Sequence, residues 1–123
     1  MTESLIDNTQ LSRLVDVGLA AAHLGKPGEA RAIFENLLAY RPGHAPARIG
    51  LAFTYLVCND FEKAQTLLSE ALAENPQDGE ALALLGLAQS FAGKPEDAAR
   101  TLERVPAASP ASRLVQALSA FAA

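Results

Sequence analysis

The sequence predicts an all-α fold, and three observations support this prediction. Half of the 123 residues are apolar, yet aromatic residues make up only 6% and Trp is absent. Ala, the strongest helix former, supplies much of the apolar content, while residues that favour strands are sparse. Apolar residues recur at the three- and four-residue spacing of a helix, and the whole pattern repeats every 34 residues.

The repeat shows first in two similar hexapeptides, GKPGEA from Gly25 and GKPEDA from Gly93, with the related NDFEKA from Asn59 between them. Residues 11–44, 45–78 and 79–112 therefore form three units of a single domain spanning 11–123, after a flexible extension of residues 1–10. Four columns keep this register: Pro42, Pro76 and Pro110; Ala30, Ala64 and Ala98; Gly18, Ala52 and Gly86; Phe34, Leu68 and Leu102.

Each unit is predicted to form two helices joined by a short elbow. Gly25 ends the first helix, because Gly tolerates the left-handed conformation found just past a helix end. Pro27 begins the second helix, where its missing N–H costs nothing, and Pro42 closes the unit. The apolar stripes of the two helices are Leu11, Leu14, Val17, Gly18 and Ala21, then Ala30, Ile33, Phe34, Leu37 and Leu38.

The other units keep the same logic with different residues. In the second, Asn59 takes the left-handed position and Asp60 caps the next helix. In the third, Gly93 repeats the elbow, and Pro106 is expected to end the last helix near Arg104. The small residues in the Gly18 and Ala30 columns are expected to let paired helices approach closely.

A tail over residues 111–123 is predicted to form a final helix. Its apolar side chains fall on one side: Leu114, Val115, Leu118 and Phe121. Such a helix would cover the last exposed face of a helical array. The alternative is an interface helix for self-association.

Composition and charge exclude several classes of function. The net charge is −4, the pI is about 5.1, and no Lys or Arg cluster offers a footprint for nucleic acid. The single Cys58 cannot form an internal disulfide. The N-terminal residues are not expected to form a signal peptide, because they include two acids and no Lys or Arg. The most apolar window, LVDVGLAAAHLG, is too short for a membrane span. We therefore expect a soluble, cytoplasmic protein without membrane insertion.

The repeat resembles the tetratricopeptide repeat (TPR) family, which implies a short right-handed α-solenoid that binds proteins. The family's usual Trp is replaced by Leu14, Arg48 and Leu82. The matching residues are Gly18, Ala21, Ala30, Phe34 and Pro42 in the first unit, Leu51, Ala52, Tyr55, Ala64, Ala71 and Pro76 in the second, and Leu85, Gly86, Ala98 and Pro110 in the third.

The resemblance also implies a partner-binding groove lined by the first helix of each unit. The implied residues are mostly apolar. They are Val15, Leu19, Ala22, His23, Ile49, Phe53, Leu56, Val57, Ala83, Leu87 and Phe91, together with the polar Ser90. Such a groove suits an amphipathic helix or an extended segment with apolar anchors. Three alternatives stay open: these residues form ordinary core, the N-terminal Leu5 and Ile6 fill the groove, or a second copy packs there.

The groove is not expected to bind acidic C-terminal peptides. TPR adaptors for heat-shock chaperones grip a terminal carboxylate with Lys, Arg and Asn. The equivalent positions here hold apolar side chains, namely Val15, Leu19, Ile49 and Phe53.

The sequence carries no pattern of an enzyme, a metal site or a cofactor site. His23 and His44 are the only histidines and belong to no catalytic or metal-binding spacing. The GKPG motif follows a helix and has Pro where a phosphate-binding loop needs Ser or Thr. Cys58 is interpreted as a small apolar filler. Glu29, Glu62, Glu96 and Asp97 are interpreted as acids that stabilise helix N-termini.

Among TPR proteins, a small, acidic, bacterial-looking array with an apolar groove resembles the chaperones of type III secretion systems. That resemblance implies a chaperone that holds an apolar helix of its partner until export. The rival interpretations are a generic scaffold or assembly adaptor, for instance in pilus or envelope biogenesis, and a self-associating module.

Overall fold

The computed structural model describes residues 7–111, which contain six α-helices and no strand. The predicted all-α fold is therefore confirmed. Of the predicted tail helix, residues 112–123 lie outside the described part, as do Leu5 and Ile6 of the N-terminal extension. The helices are α1 (Asn8–His23), α2 (Pro27–Tyr40), α3 (Ala45–Val57), α4 (Phe61–Glu74), α5 (Gly79–Phe91) and α6 (Pro95–Glu103).

The three elbows have the geometry that the sequence predicts. The φ angle is 78° at Gly25, 62° at Asn59 and 82° at Gly93, all in the left-handed region. Each of these residues lies two positions after the last residue of the first helix in its unit. The Asp60 carboxylate accepts a hydrogen bond from the Lys63 N–H at 3.3 Å, so the predicted cap on α4 is also confirmed.

Both ends of the described array are set by local side chains. A reciprocal capping box starts α1: the Asp7 carboxylate accepts from the Gln10 N–H at 2.8 Å, and the Gln10 side chain accepts from the Asp7 N–H at 2.9 Å. Helix α1 therefore begins three residues before the first repeat unit. Helix α6 ends at Glu103 with Arg104 as its C-cap, as Pro106 predicts.

Consecutive helices pack into the hairpins α1–α2, α3–α4 and α5–α6, and α1, α3 and α5 lie beside one another. Phe34 and Leu68 are fully buried at equivalent places of the first two hairpins. Gly18 lets the Phe34 ring approach, because a Cβ atom at Gly18 would lie 2.6 Å from Phe34 Cζ. Gly86 does the same for Leu102 in the third hairpin. The expectation that this small-residue column permits close approach is confirmed at both glycines.

The outer face of the first hairpin is apolar. Val17 is 54% exposed, whereas its equivalent Leu51 is 6% exposed because the first hairpin covers it. Leu14 is also exposed, although both residues belong to the predicted apolar stripe of α1. The helical spacing of that stripe is correct, but part of it points away from the described core.

None of the helices between residues 7 and 111 combines the length and apolar composition that a bilayer crossing requires.

Candidate functional site

The first helices of the three hairpins line a cavity of about 220 Å³ that is open to solvent on one side of the array. All of its lining residues come from α1, α3 and α5, so the stacking of the repeats creates it. We call this cavity and its lining the groove: Val15, Leu19, His23, Pro46, Ile49, Gly50, Phe53, Glu80 and Leu84.

The structure places the predicted groove residues in three settings. Five of them line the groove: Val15, Leu19, His23, Ile49 and Phe53. Four do not line it and pack within or against the core: Ala22, Leu56 and Ala83, which are buried, and the half-buried Leu87. Two are exposed at the ends of their helices: Val57 and Phe91. The five lining residues come from α1 and α3, whereas none of the predicted residues of α5 lines the groove. The depth of each side chain depends on the neighbouring hairpin.

An aromatic pair joins α1 and α3 at the groove. The rings of His23 and Phe53 are 5.0 Å apart between centroids and tilted by 46°. Phe53 is half-buried and also packs against the first core cluster, so part of its ring remains accessible from the groove. His23 is exposed. A tilted contact of this kind is a favourable arrangement of two aromatic rings and links α1 to α3 beside the cavity.

The exposed rim continues along equivalent positions of the three units. His23, Val57 and Phe91 each end a first helix and are spaced 34 residues apart. Val57 is 45% exposed and Phe91 is 58% exposed. The Phe91 ring contacts the Phe61 ring, with centroids 5.5 Å apart. An apolar edge therefore runs beside the groove at the elbow end of α3 and α5.

Sequence reasoning missed four lining residues. Pro46 and Glu80 are equivalent positions of successive units, and Gly50 and Leu84 are another such pair. Each lies one helical turn before a predicted residue. Residues three or four apart share one face of a helix, so this spacing was the available signal.

Glu80 is the lining residue that carries a carboxylate, so its surroundings bear on which ligands the groove can accept. No Lys or Arg lies within 4.0 Å of its carboxylate among residues 7–111. Partial desolvation, and secondly the charge of Asp78, raise the pKa of Glu80. No Lys or Arg belongs to the groove lining. Within the described part of the chain, the groove is thus a mainly apolar surface with His23 on one side and one carboxylate that no Lys or Arg pairs.

The remaining candidate residues form no catalytic grouping. Cys58 is exposed, so it does not act as a buried filler. Within the described chain, no three His, Cys, Asp or Glu side chains come together as a metal site would require. His44 lies at the start of α3, where its Nε2 atom is buried and has no hydrogen-bond partner among residues 7–111. Burial, and secondly the nearby Arg41, lower the pKa of His44.

Comparison of the sequence with protein families finds one match. The sequence profile of the tetratricopeptide repeat matches residues 21–86 and 59–120, which together span most of the chain. Comparison with curated protein sequences finds no match.

Solved structures with the same fold come from several kinds of protein. The Sgt2 TPR domain from Aspergillus fumigatus has a TM-score of 0.78 and 20% identity, covering 94% of this chain and 80% of that one. The second TPR domain of human RPAP3, in complex with the HSP70 peptide SGPTIEEVD, has a TM-score of 0.69 and 22% identity, covering 86% and 92%. The Yersinia enterocolitica type III secretion translocator chaperone SycD, in its alternative dimer, has a TM-score of 0.76 and 15% identity, covering 96% and 98%.

Proposed function

Because the chain belongs to the tetratricopeptide repeat family, we propose that it is a non-enzymatic module that holds a segment of another protein in its groove. The observation that carries this proposal is the accessible apolar surface assembled from three separate helices. Leu19, Phe53 and Leu84 are only partly buried there, although they pack beside fully buried core. A soluble protein gains little from such a surface unless a partner covers it.

The size of the groove fits anchor side chains better than a small-molecule ligand. Its volume of about 220 Å³ is below the roughly 300–1,000 Å³ of typical cofactor and drug sites. Burial of one Leu or Phe anchor contributes about 1.5–3 kcal/mol. Several anchors are needed to exceed the cost of association, so we propose an amphipathic helix or an extended segment with spaced apolar residues.

We further propose that the chain acts as a cytoplasmic chaperone that shields one apolar segment of a partner until export. The apolar character of the groove supports this role, and so does the fold shared with the secretion chaperone SycD. A scaffold or assembly adaptor would use the same groove for a permanent contact. A self-associating module would place a second copy in it.

The test replaces Phe53 by Asp and compares it with Leu24→Asp. Leu24 is 73% exposed and does not line the groove, so it controls for an added surface charge. Tagged wild-type protein and both variants are expressed in the native host, and photo-crosslinking from position 19 identifies what lies in the groove. We expect the Phe53 variant to lose the crosslinked partner and the Leu24 variant to keep it, with equal helicity by circular dichroism.

Three other outcomes would overturn parts of the proposal. A folded Phe53→Asp protein that captures its partner normally would place the ligand elsewhere. A variant that unfolds would show that Phe53 is core, and Leu84→Asp, with the crosslinker kept at position 19, would then carry the test. Crosslinks only between copies of this chain would establish self-association instead.

A further inference from the structure

We propose that the segment held in the groove carries a Lys or Arg beside its apolar anchors, and that Glu80 binds this cation. The inference rests on the proposed function, and it specifies the chemistry of the ligand. Glu80 and Leu84 lie one helical turn apart on α5 and both line the groove. A side chain seated against Leu84 therefore brings its neighbours in the ligand within reach of the Glu80 carboxylate.

The charge is a feature of one unit and not of the repeat. The positions equivalent to Glu80 are Ser12 and Pro46. Helices α1 and α3 have no acidic residue in their first turn, whereas α5 has Glu80. A first-turn acid also suits the dipole of a helix, as Glu29, Glu62 and Glu96 do in α2, α4 and α6. What distinguishes Glu80 from these three is that it lines the groove.

Among residues 7–111, Glu80 forms no ion pair with a Lys or Arg. The ion pairs among residues 7–111 join Arg31 to Glu35, Arg48 to Glu74, Lys63 to Asp60 and Arg100 to Asp97. The neighbouring Asp78 is engaged, since its carboxylate accepts the Ala81 N–H at 3.1 Å and caps α5. Glu80 therefore lines the groove with an acidic neighbour and without a counter-ion among residues 7–111. Glu80 is exposed, so a cation on a ligand can reach its carboxylate.

The surrounding surface favours the same ligand. The other lining residues are apolar except for His23 on α1, and the lining contains neither Lys nor Arg. An acidic ligand would meet an unpaired carboxylate in an apolar setting, and a purely apolar ligand would leave that carboxylate desolvated and unpaired. A ligand with both apolar anchors and one cation satisfies the whole surface.

Selection from a random peptide library displayed on phage tests the proposal. The baits are wild-type protein, Glu80→Gln, Phe53→Asp and Glu96→Gln, a matched control that removes a first-turn carboxylate on α6, outside the groove. We expect wild type and Glu96→Gln to select peptides with apolar anchors and an adjacent Lys or Arg. Glu80→Gln should select the same anchors without enrichment of the cation.

The outcomes separate the two proposals. Peptides with apolar anchors but no excess of Lys or Arg on wild type would overturn the role of Glu80 and leave the groove function standing. The same cation enrichment on Glu80→Gln would also overturn it. Failure of wild type to select apolar peptides, or selection unaffected by Phe53→Asp, would overturn the groove function itself and this inference with it.

A selected peptide then allows a direct measurement. We expect Lys→Gln in the peptide to weaken binding to wild type by about tenfold, as for loss of one charge-assisted contact. The same change should have no effect on Glu80→Gln, and raised salt should reduce the difference on wild type. An equal loss on both proteins would show that the cation contacts another group.

Discussion

The ring of Phe34 occupies the space that a side chain on Gly50 would need. Phe34 belongs to α2 of the first hairpin and Gly50 to α3 of the second, and a Cβ atom at Gly50 would overlap the ring edge. Phe34 is fully buried, and Gly50 also lines the groove. Gly50 therefore both lets the first hairpin pack on the second and leaves space in the groove.

Replacement of Gly50 by Ala should destabilise the protein by about 1–3 kcal/mol, because the new methyl group overpacks the core against Phe34. Gly28→Ala is the matched control: it lies in the first turn of α2, with nothing within 4 Å of an added Cβ. The control should leave stability unchanged or raise it by up to about 1 kcal/mol. Urea denaturation of both variants measures the difference, and equal stabilities would show that the Phe34 ring moves aside freely.

Asn59 supports a left-handed backbone at the elbow where the other two units have Gly. Asn59→Ala should cost about 1–2 kcal/mol, since Ala has neither the flexibility of Gly nor the local hydrogen bonds of Asn. Asn59→Gly should be nearly neutral. Thermal unfolding followed by circular dichroism compares the two variants. If Ala and Gly behave alike, the loss comes from a side-chain contact of Asn59 rather than from its backbone angle.

His44 is expected to make the stability depend on pH. Its pKa is lowered in the folded state from the ordinary value of 6.5 by burial and by Arg41. The unfolded chain therefore binds more protons, so the contribution of His44 is complete above pH 6.5 and is lost as the pH falls toward the folded-state pKa. Urea titrations from about pH 7.5 to about pH 5.5 should show a steeper loss for wild type than for His44→Gln. Parallel curves would assign the dependence to other groups.

The raised pKa of Glu80 acts in the opposite direction. The folded state binds the proton more readily than the unfolded state, so protonation adds stability as the pH falls through the folded-state pKa toward 4.5. Glu80→Gln should therefore be more stable than wild type above the folded-state pKa of Glu80 and lose that advantage in acid. The same urea titrations extended to about pH 4.5 measure the advantage, and an advantage that persists unchanged in acid would contradict this assignment.

The groove should not bind an acidic C-terminal peptide. The peptide SGPTIEEVD, present in the complex with human RPAP3, would meet Glu80 and apolar side chains instead of cations. We expect no binding by isothermal titration calorimetry under conditions in which the RPAP3 domain gives a clear signal. Saturable binding that survives Phe53→Asp would point to a second, basic site on this chain.

The sequence predicted the helices and elbows well because their determinants are local. A left-handed backbone favours Gly or Asn, and an N-terminal cap favours a short polar side chain. The residue types at Gly25, Asn59 and Asp60 are therefore enough to predict the local structure there. The Asp7–Gln10 capping box was equally readable and was missed because the repeat register begins at Leu11.

The groove was predicted less completely, for a physical reason. Periodicity shows which way a side chain points, whereas its burial depends on what the next hairpin brings against it. Ala83 and Leu56 were predicted to line the groove and are buried instead. Glu80 and Leu84 entered the lining because α5 lies beside α3, so that side chains of both helices line one cavity. That placement depends on side-chain volumes where the hairpins pack, which no single helix encodes.

Phe34 packs against Gly18 and Gly50, and this packing also sets the order in which the hairpins can stack. Between the second and third hairpins, the residues equivalent to Phe34 and Gly50 are Leu68 and Leu84. Leu68 is smaller than Phe34, and Leu84 is larger than Gly50. A shuffled chain with the first hairpin stacked directly on the third would press an aromatic ring into Leu84. The three units look interchangeable in sequence, but their side chains fit together in one order only. After duplication or deletion of one unit, side chains at the new contact would have to change in size before the hairpins could pack.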